Sequence, residues 1–131
     1  MDYTQWARDT FKDDTFATEV TGISIDSAVD GTSVCSLEIS EKHLNADDNV
    51  MGGVTFTIAD IAFAVAANTG ELTTVSTNSS ISFLGVAKGK KLIAEGKTIK
   101  SGRRTCTVSV DVYDDVGTKV AYAVFTGMRV R

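Results

Sequence analysis

Two periodicities run along this chain, and the points where one gives way to the other divide it into elements. Residues 3 to 12 set Tyr3, Trp6, Ala7 and Phe11 at helical spacing among Arg8, Asp9, Lys12 and Asp13. That spacing predicts a short amphipathic helix lying on the body of the domain. From Glu19 the period falls to two. Val20, Ile23 and Ile25 lead to the hairpin signal Asp30-Gly31, after which Cys35, Leu37 and Ile39 alternate with Ser36, Glu38 and Ser40. The polar stretch Glu41 to Asn49 reads as a loop. Between Val54 and Asn68 the only polar residues are Thr55, Thr57, Asp60 and Asn68, and Asp60 is the only charge. A segment so apolar on every side predicts a helix wrapped by the rest of its domain. It should end near Asn68-Thr69-Gly70, where Gly70 suits a left-handed cap.

The remainder reads as strands. Leu72 to Leu84 is rich in Thr, Ser and Val, and Leu92 to Lys100 follows a Lys88-Gly89 turn. From Arg104 to Tyr113, Cys106, Val108, Val110 and Val112 alternate with Thr105, Thr107, Ser109 and Asp111. Lys119 to Val130 sets Val120, Tyr122 and Val124 against Ala121, Ala123 and Phe125, with turns at Ser101-Gly102 and Val116-Gly117. One long helix against about six antiparallel strands, with a short N-terminal helix, is an α+β roll. At 131 residues a single domain over 1–131 is expected.

Composition narrows the function classes. Apolar content of 43% with 23% charge suits a soluble globular protein. A net charge of −4 and a pI near 4.9 argue against nucleic acid as a partner. No apolar run reaches the roughly 20 residues that span a bilayer, since Asp60 interrupts the longest, so no membrane partner is expected. The stretch Met1 to Trp6 lacks the basic start and apolar core of a secretory signal. Cys35 and Cys106 stand apart, without metal spacing, and read as free buried thiols of a cytoplasmic protein. His43, the only histidine, reads as a solvated residue of the polar loop and builds neither a triad nor a metal site.

Candidate chemistry gathers at Gly52-Gly53 and Asp60. A lone carboxylate in an apolar helix costs free energy unless it is paired, neutralised or used, and its basicity rises where water is scarce. Two glycines leading into a helix serve a tight turn. They also leave unpaired N–H groups that can polarise a carbonyl and hold an oxyanion. Asn45 suits a loop turn, the commonest place for asparagine. Lys100, Gly102, Arg103 and Arg104 fit a solvated hairpin tip equally with a contact to phosphate oxygens.

Asn45, five intervening residues, Met51-Gly52-Gly53, and Asp60 seven positions after Gly53 resemble the signature of hotdog-fold acyl-CoA thioesterases of the phenylacetate-degradation type. The run Ile61 to Asn68, Ile81-Ser82-Phe83-Leu84, Gly89, and the turn Lys100 to Arg104 are similar to that subgroup as well. The resemblance covers nearly everything after the first helix. It implies the hotdog fold and hydrolysis of an acyl-CoA, or another pantetheine thioester, to acid and thiol, with no cofactor beyond the coenzyme A of the substrate. It implies Asp60 as nucleophile or general base, the Gly52 amide as oxyanion donor, Asn45 orienting water or the thioester carbonyl, and Ser76 near the carboxylate. Met51 and Gly53 would border the substrate, and Lys100, Gly102, Arg103 and Arg104 would meet its phosphates. It also implies a homodimer, or a tetramer formed as a dimer of dimers, with active sites shared between subunits.

Two residues depart from the family pattern: Met51 stands where histidine is usual, and Val86 where proline is frequent. Met51 keeps a second class in view, a non-hydrolytic hotdog protein that binds acyl-CoA as a sensor or partner. A hotdog hydratase would need an Asp/His pair, for which His43 is poorly placed.

Overall fold

The computed structural model describes residues 1–131. Helix α1 spans Thr4–Phe11, and a single π-turn, Phe16–Val20, leads into the hairpin of β1 (Ser24–Val29) and β2 (Thr32–Glu38). A 3-10 turn at Glu41–His43 opens the loop before helix α2, Gly52–Ala67. Four strands follow, β3 (Thr74–Phe83), β4 (Lys91–Ser101), β5 (Thr105–Asp114) and β6 (Lys119–Arg129). All pairings are antiparallel, in the order β1-β2-β4-β5-β6-β3. This is the predicted α+β sheet curled around one helix. The start of β1 is a correction: Phe16 to Val20 coil into the π-turn, and extended pairing begins only at Ser24.

The alternation read in β5 is the core face. Cys106, Val108, Val110 and Val112 are buried, and both cysteines are free thiols. Helix α2 packs chiefly on β4, β2 and β5. Its close approach depends on Gly96, where a Cβ would stand 2.6 Å from Ser33 Oγ and 2.8 Å from the Ala62 carbonyl. The Ser33 hydroxyl donates to that same carbonyl at 2.6 Å. Farther along, Phe63 stacks on Phe125 with centroids 4.9 Å apart, and Gly127 leaves the space their contact needs. Asn68 locks the helix end to β3: its amide donates to the Ala64 and Thr74 carbonyls and accepts the Thr73 and Thr74 N–H groups. The expected left-handed glycine follows at Gly70, φ +91°.

The two edges of the sheet are finished differently. At β1 the N-terminal segment covers the edge, with Tyr3 N–H donating to the Ala28 carbonyl and Arg8 Nε to the Ile25 carbonyl. At β3 nothing covers the edge, and eight of its ten residues are exposed. The sheet therefore runs past the helix on that side. The flank of α2 carrying Gly53, Phe56, Thr57, Asp60 and Ala64 is only partly covered, so the expectation of a helix wrapped on every side holds for three flanks rather than four.

Candidate functional site

The start of α2 carries the first half of the site. Met51 is its N-cap, in extended conformation, and the Met51 N–H donates to the His43 carbonyl at 2.9 Å. The Met51 carbonyl accepts Val54 N–H at 3.0 Å and Thr55 N–H at 3.3 Å. That leaves Gly52 N–H and Gly53 N–H without a protein acceptor, as two of the orphan donors of a helix start. Neither glycine has a positive φ, so turn geometry is not what they supply. They keep the approach to those amides open: a Cβ on Gly52 would meet the Phe83 ring at 3.4 Å, and one on Gly53 would meet Met51 Cε at 3.6 Å.

Asn45 sits in the loop below. Its Oδ1 accepts Asp47 N–H at 2.9 Å and Asn49 N–H at 3.1 Å, and its own N–H donates to the Asn49 carbonyl. Two backbone donors at one oxygen fix the amide orientation, so the exposed Asn45 presents its NH2 group outward as a donor. Asn45, Gly52, Thr55, Phe83 and Val86 share a cleft of about 250 Å³ at this helix start. Its far wall, the segment after Phe83, is held by carboxylates. Asp114 accepts the Lys88, Gly89, Val116 and Thr118 N–H groups, and Asp115 accepts those of Lys90 and Lys91.

Asp60 stands eight residues beyond Gly52, about 12 Å along the axis at 1.5 Å per residue. No side chain bonds its carboxylate, and the residue is exposed on the helix surface though still partly shielded by its surroundings. Partial burial raises its proton affinity above that of an ordinary aspartate, and the nearby negative charge of Asp14 raises it further. Ser76 lies on the same side of the sheet as α2. Its cross-strand partner is Gly127, whose missing Cβ would face the Phe63 ring of the helix. Ser76 is exposed, beside a bulge at Thr77.

A single chain therefore brings Asn45, Met51, Gly52 and Gly53 together and keeps Asp60 and Ser76 apart from them. The Lys100 to Arg104 hairpin is farther off. Arg129 donates both to Ser101 Oγ beside that hairpin and to the Ala67 carbonyl at the end of α2, some 22 Å from Gly52 along the helix. Lys100, Arg103 and Arg104 are exposed, and Gly102 N–H closes the turn on the Thr105 carbonyl. A hollow of about 590 Å³ at this end has lining of mixed charge, including Asp30, Glu71, Lys100 and Arg129. No three His, Cys, Asp or Glu side chains converge as a metal site would require.

His43 corrects the sequence reading. It is buried, 3% exposed, because both ring nitrogens find backbone partners: Nδ1 with Ser40 N–H at 3.0 Å and Nε2 with the Thr21 carbonyl at 2.7 Å. A polar loop in sequence gave no sign of that pocket, since Thr21 lies 22 residues away. Asp114 also escaped notice. Its only signal was the run Asp114-Asp115-Val116-Gly117, which reads as any strand-end turn.

Comparison with known proteins places the chain among relatives. Residues 48–121 match the model of the family described as "Thioesterase superfamily". The acyl-coenzyme A thioesterase PaaI of Escherichia coli K12 is 31% identical over 102 residues, covering 76% of this chain and 72% of that protein. Human acyl-coenzyme A thioesterase 13 is 29% identical over 93 residues, with 69% and 66% covered. The chain spans about two thirds of the length of the curated relatives it matches. Among solved structures, the E. coli PaaI protein superposes with a TM-score of 0.90 over 98% of this chain and 94% of its own, at 23% identity. A protein of Streptococcus pneumoniae TIGR4 described as a "hypothetical thioesterase protein", crystallised with coenzyme A, gives 0.83 over 92% and 96%, at 28% identity.

Proposed function

The chain belongs to the thioesterase superfamily, with the hotdog fold, and from that premise we propose that it hydrolyses acyl-CoA thioesters to the free acid and coenzyme A. One observation carries the reading: two glycine amides without acceptors open a helix whose single charge, Asp60, has its proton affinity raised. The thioester carbonyl oxygen would accept the Gly52 N–H and gain charge there as its carbon is attacked. Asn45, with its NH2 group outward, donates to that oxygen or to the attacking water. Asp60 takes the proton of water as general base, or attacks the carbonyl carbon itself and is released by water afterwards. Either way one water is consumed, the C–S bond breaks, and the thiolate leaves to be protonated. Ser76 would support the carboxylate, and Met51 and Gly53 would border the thioester.

The reacting carbon must lie within about 3 Å of both groups. Gly52 and Asp60 of one chain cannot meet that condition across about 12 Å. A two-fold dimer satisfies it, each site taking Asn45 and Gly52 from one copy and Asp60 and Ser76 from the other. The bare edge of β3 and the open flank of α2 are the surfaces such a dimer would cover. The hairpin of Lys100, Gly102, Arg103 and Arg104, remote from its own Gly52, would then serve the phosphates of coenzyme A in the site that uses its own Asp60.

Met51, exposed where the family has histidine, supports a second reading, acyl-CoA binding without hydrolysis. Thiol release from short, medium, long and aromatic acyl-CoAs separates the two. Hydrolysis predicts turnover of at least one ester that Asp60→Asn loses. Saturable binding with no thiol release from any ester would favour the second reading.

A further inference from the structure

We propose that His43 is a positioning residue for the oxyanion amides, setting where Gly52 N–H points although it touches no substrate. The inference rests on the thioesterase reading for its consequence in rate, and on hydrogen bonds alone for its consequence in structure. Ser40 N–H can only donate, so Nδ1 is the acceptor and the ring hydrogen sits on Nε2, directed at the Thr21 carbonyl. The Ser40 hydroxyl lies 3.4 Å from the same Nδ1. The ring thus joins the start of its own 3-10 turn to the end of the π-turn across 22 residues of sequence.

What the ring holds in place is its own carbonyl. That carbonyl accepts Met51 N–H at 2.9 Å, and the Met51 carbonyl in turn takes Val54 and Thr55 N–H, the first closed bonds of α2. Gly52 and Gly53 lie between these fixed points with free amides. The peptide carrying Gly52 N–H is therefore held at its own carbonyl by the helix and, one peptide earlier, by Met51 N–H on His43. A glycine pair without that first anchor is the most mobile backbone available. Catalysis by amides depends on their standing ready before charge develops, and displacement by about 1 Å can cost up to about a hundredfold in rate. Asn45 follows His43 by two residues, so the same anchor fixes the root of the loop presenting its NH2 group.

Three substitutions dissect the ring. In His43→Gln the side-chain amide can still donate to the Thr21 carbonyl. In His43→Asn the side-chain oxygen can still accept Ser40 N–H while the bond to Thr21 is lost. His43→Leu removes both. Each is assayed well below its own melting temperature, with the folded fraction measured, and amide exchange at Met51 is followed in parallel. The expected result is a kcat about ten- to a hundredfold lower in His43→Leu with KM little changed. His43→Gln should recover most of the rate, His43→Asn less, and Met51 exchange should accelerate in the same order. Should His43→Leu fail to fold, the Gln and Asn variants decide by the same two readouts. Wild-type kcat in the variants, or a loss carried by KM alone, overturns the role in rate. Unchanged Met51 exchange in His43→Asn, and in His43→Leu where it folds, overturns the anchor itself. If the unaltered protein releases no thiol from any ester, the thioesterase reading fails, and Met51 exchange still tests the anchor.

Discussion

Asp60 and Asp114 are two aspartates of the same small chain, both shielded from water in some degree, and the protein treats their carboxylates in opposite ways. Asp114 is shut from solvent at 1% exposure, and burial by itself would push its proton affinity up. The Lys88, Thr118 and Gly89 N–H groups override that and hold it well below the usual carboxylate range. Asp60 is the more exposed of the two, yet its proton affinity is raised, first by partial burial and then by the negative charge of Asp14, with no hydrogen-bond donor to offset either. Partners, more than depth, set the character of an acid. A saturated carboxylate has no lone pair left for chemistry and serves the fold. An unsatisfied one weakens the fold and is free to react.

The contrast is broken most sharply by exchanging its terms. Asp60→Asn should lower turnover by roughly 100-fold or more while the melting temperature holds or rises, since an unpartnered charge is removed. Asp114→Ala should do the reverse. Its four orphaned N–H groups should cost on the order of 2–3 kcal/mol, roughly 10 °C in Tm, with turnover per folded molecule reduced far less than in Asp60→Asn. Calorimetry and thiol release on the two variants check the pair. Destabilisation by Asp60→Asn, or full turnover in it, would collapse the distinction.

A mixing experiment asks whose Asp60 does the work. Inactive Asp60→Ala and inactive Asn45→Ala, allowed to exchange subunits, should recover about a quarter of wild-type activity, because half the dimers carry one intact site in two. No recovery after verified exchange would return Asp60 to its own chain.

Acid separates the two carboxylates further. Asp60, with its affinity raised, should protonate above the ordinary aspartate range, so turnover should fall there while the protein stays folded. Asp114, with its affinity lowered, contributes stability that is fully present above the unfolded-state value of about 4 and is lost as pH falls toward its folded value. Below about pH 4 the wild type should therefore lose stability more steeply than Asp114→Asn. Melting curves and a pH–rate profile on the same preparations would show the two limbs apart. The smallest effect belongs to charges with no protein partner at all. Replacing Arg103 and Arg104 together by alanine should raise KM for coenzyme A esters roughly threefold to tenfold and weaken its salt dependence, with kcat unchanged. An unchanged KM would make that hairpin a solvated tip.

Asp60 stood out in the sequence as a candidate because an isolated charge in an apolar run violates a local pattern, and Gly52 and Asn45 as candidates because they hold fixed spacing to it. The strands of β4 to β6 were legible for the same kind of reason, since alternation is a local signal. Asp114 and His43 were not, because besides their local bonds they hold Lys88 and Gly89, or Thr21, more than twenty residues distant. A histidine in a polar loop and an aspartate before a glycine turn look solvated until tertiary structure brings backbone to them. The π-turn at Phe16 to Val20 was missed because Val20, Ile23 and Ile25 suggest alternation that the chain takes up only from Ser24.

The bare edge of β3 bears on the life of the chain before it reaches its working form. Natural edge strands are commonly blunted by lysine, proline or a covering segment, as the N-terminal arm does at β1. Thr74 to Phe83 has no charged residue and no proline, and its backbone offers ten residues of ladder to any strand that arrives. A newly made chain is thus a template for extension for as long as that edge stays bare, and crowding with other unfinished chains is its period of risk. Substitutions that weaken closure at this edge should show first as turbidity and poor recovery from expression, and only afterwards as lost turnover.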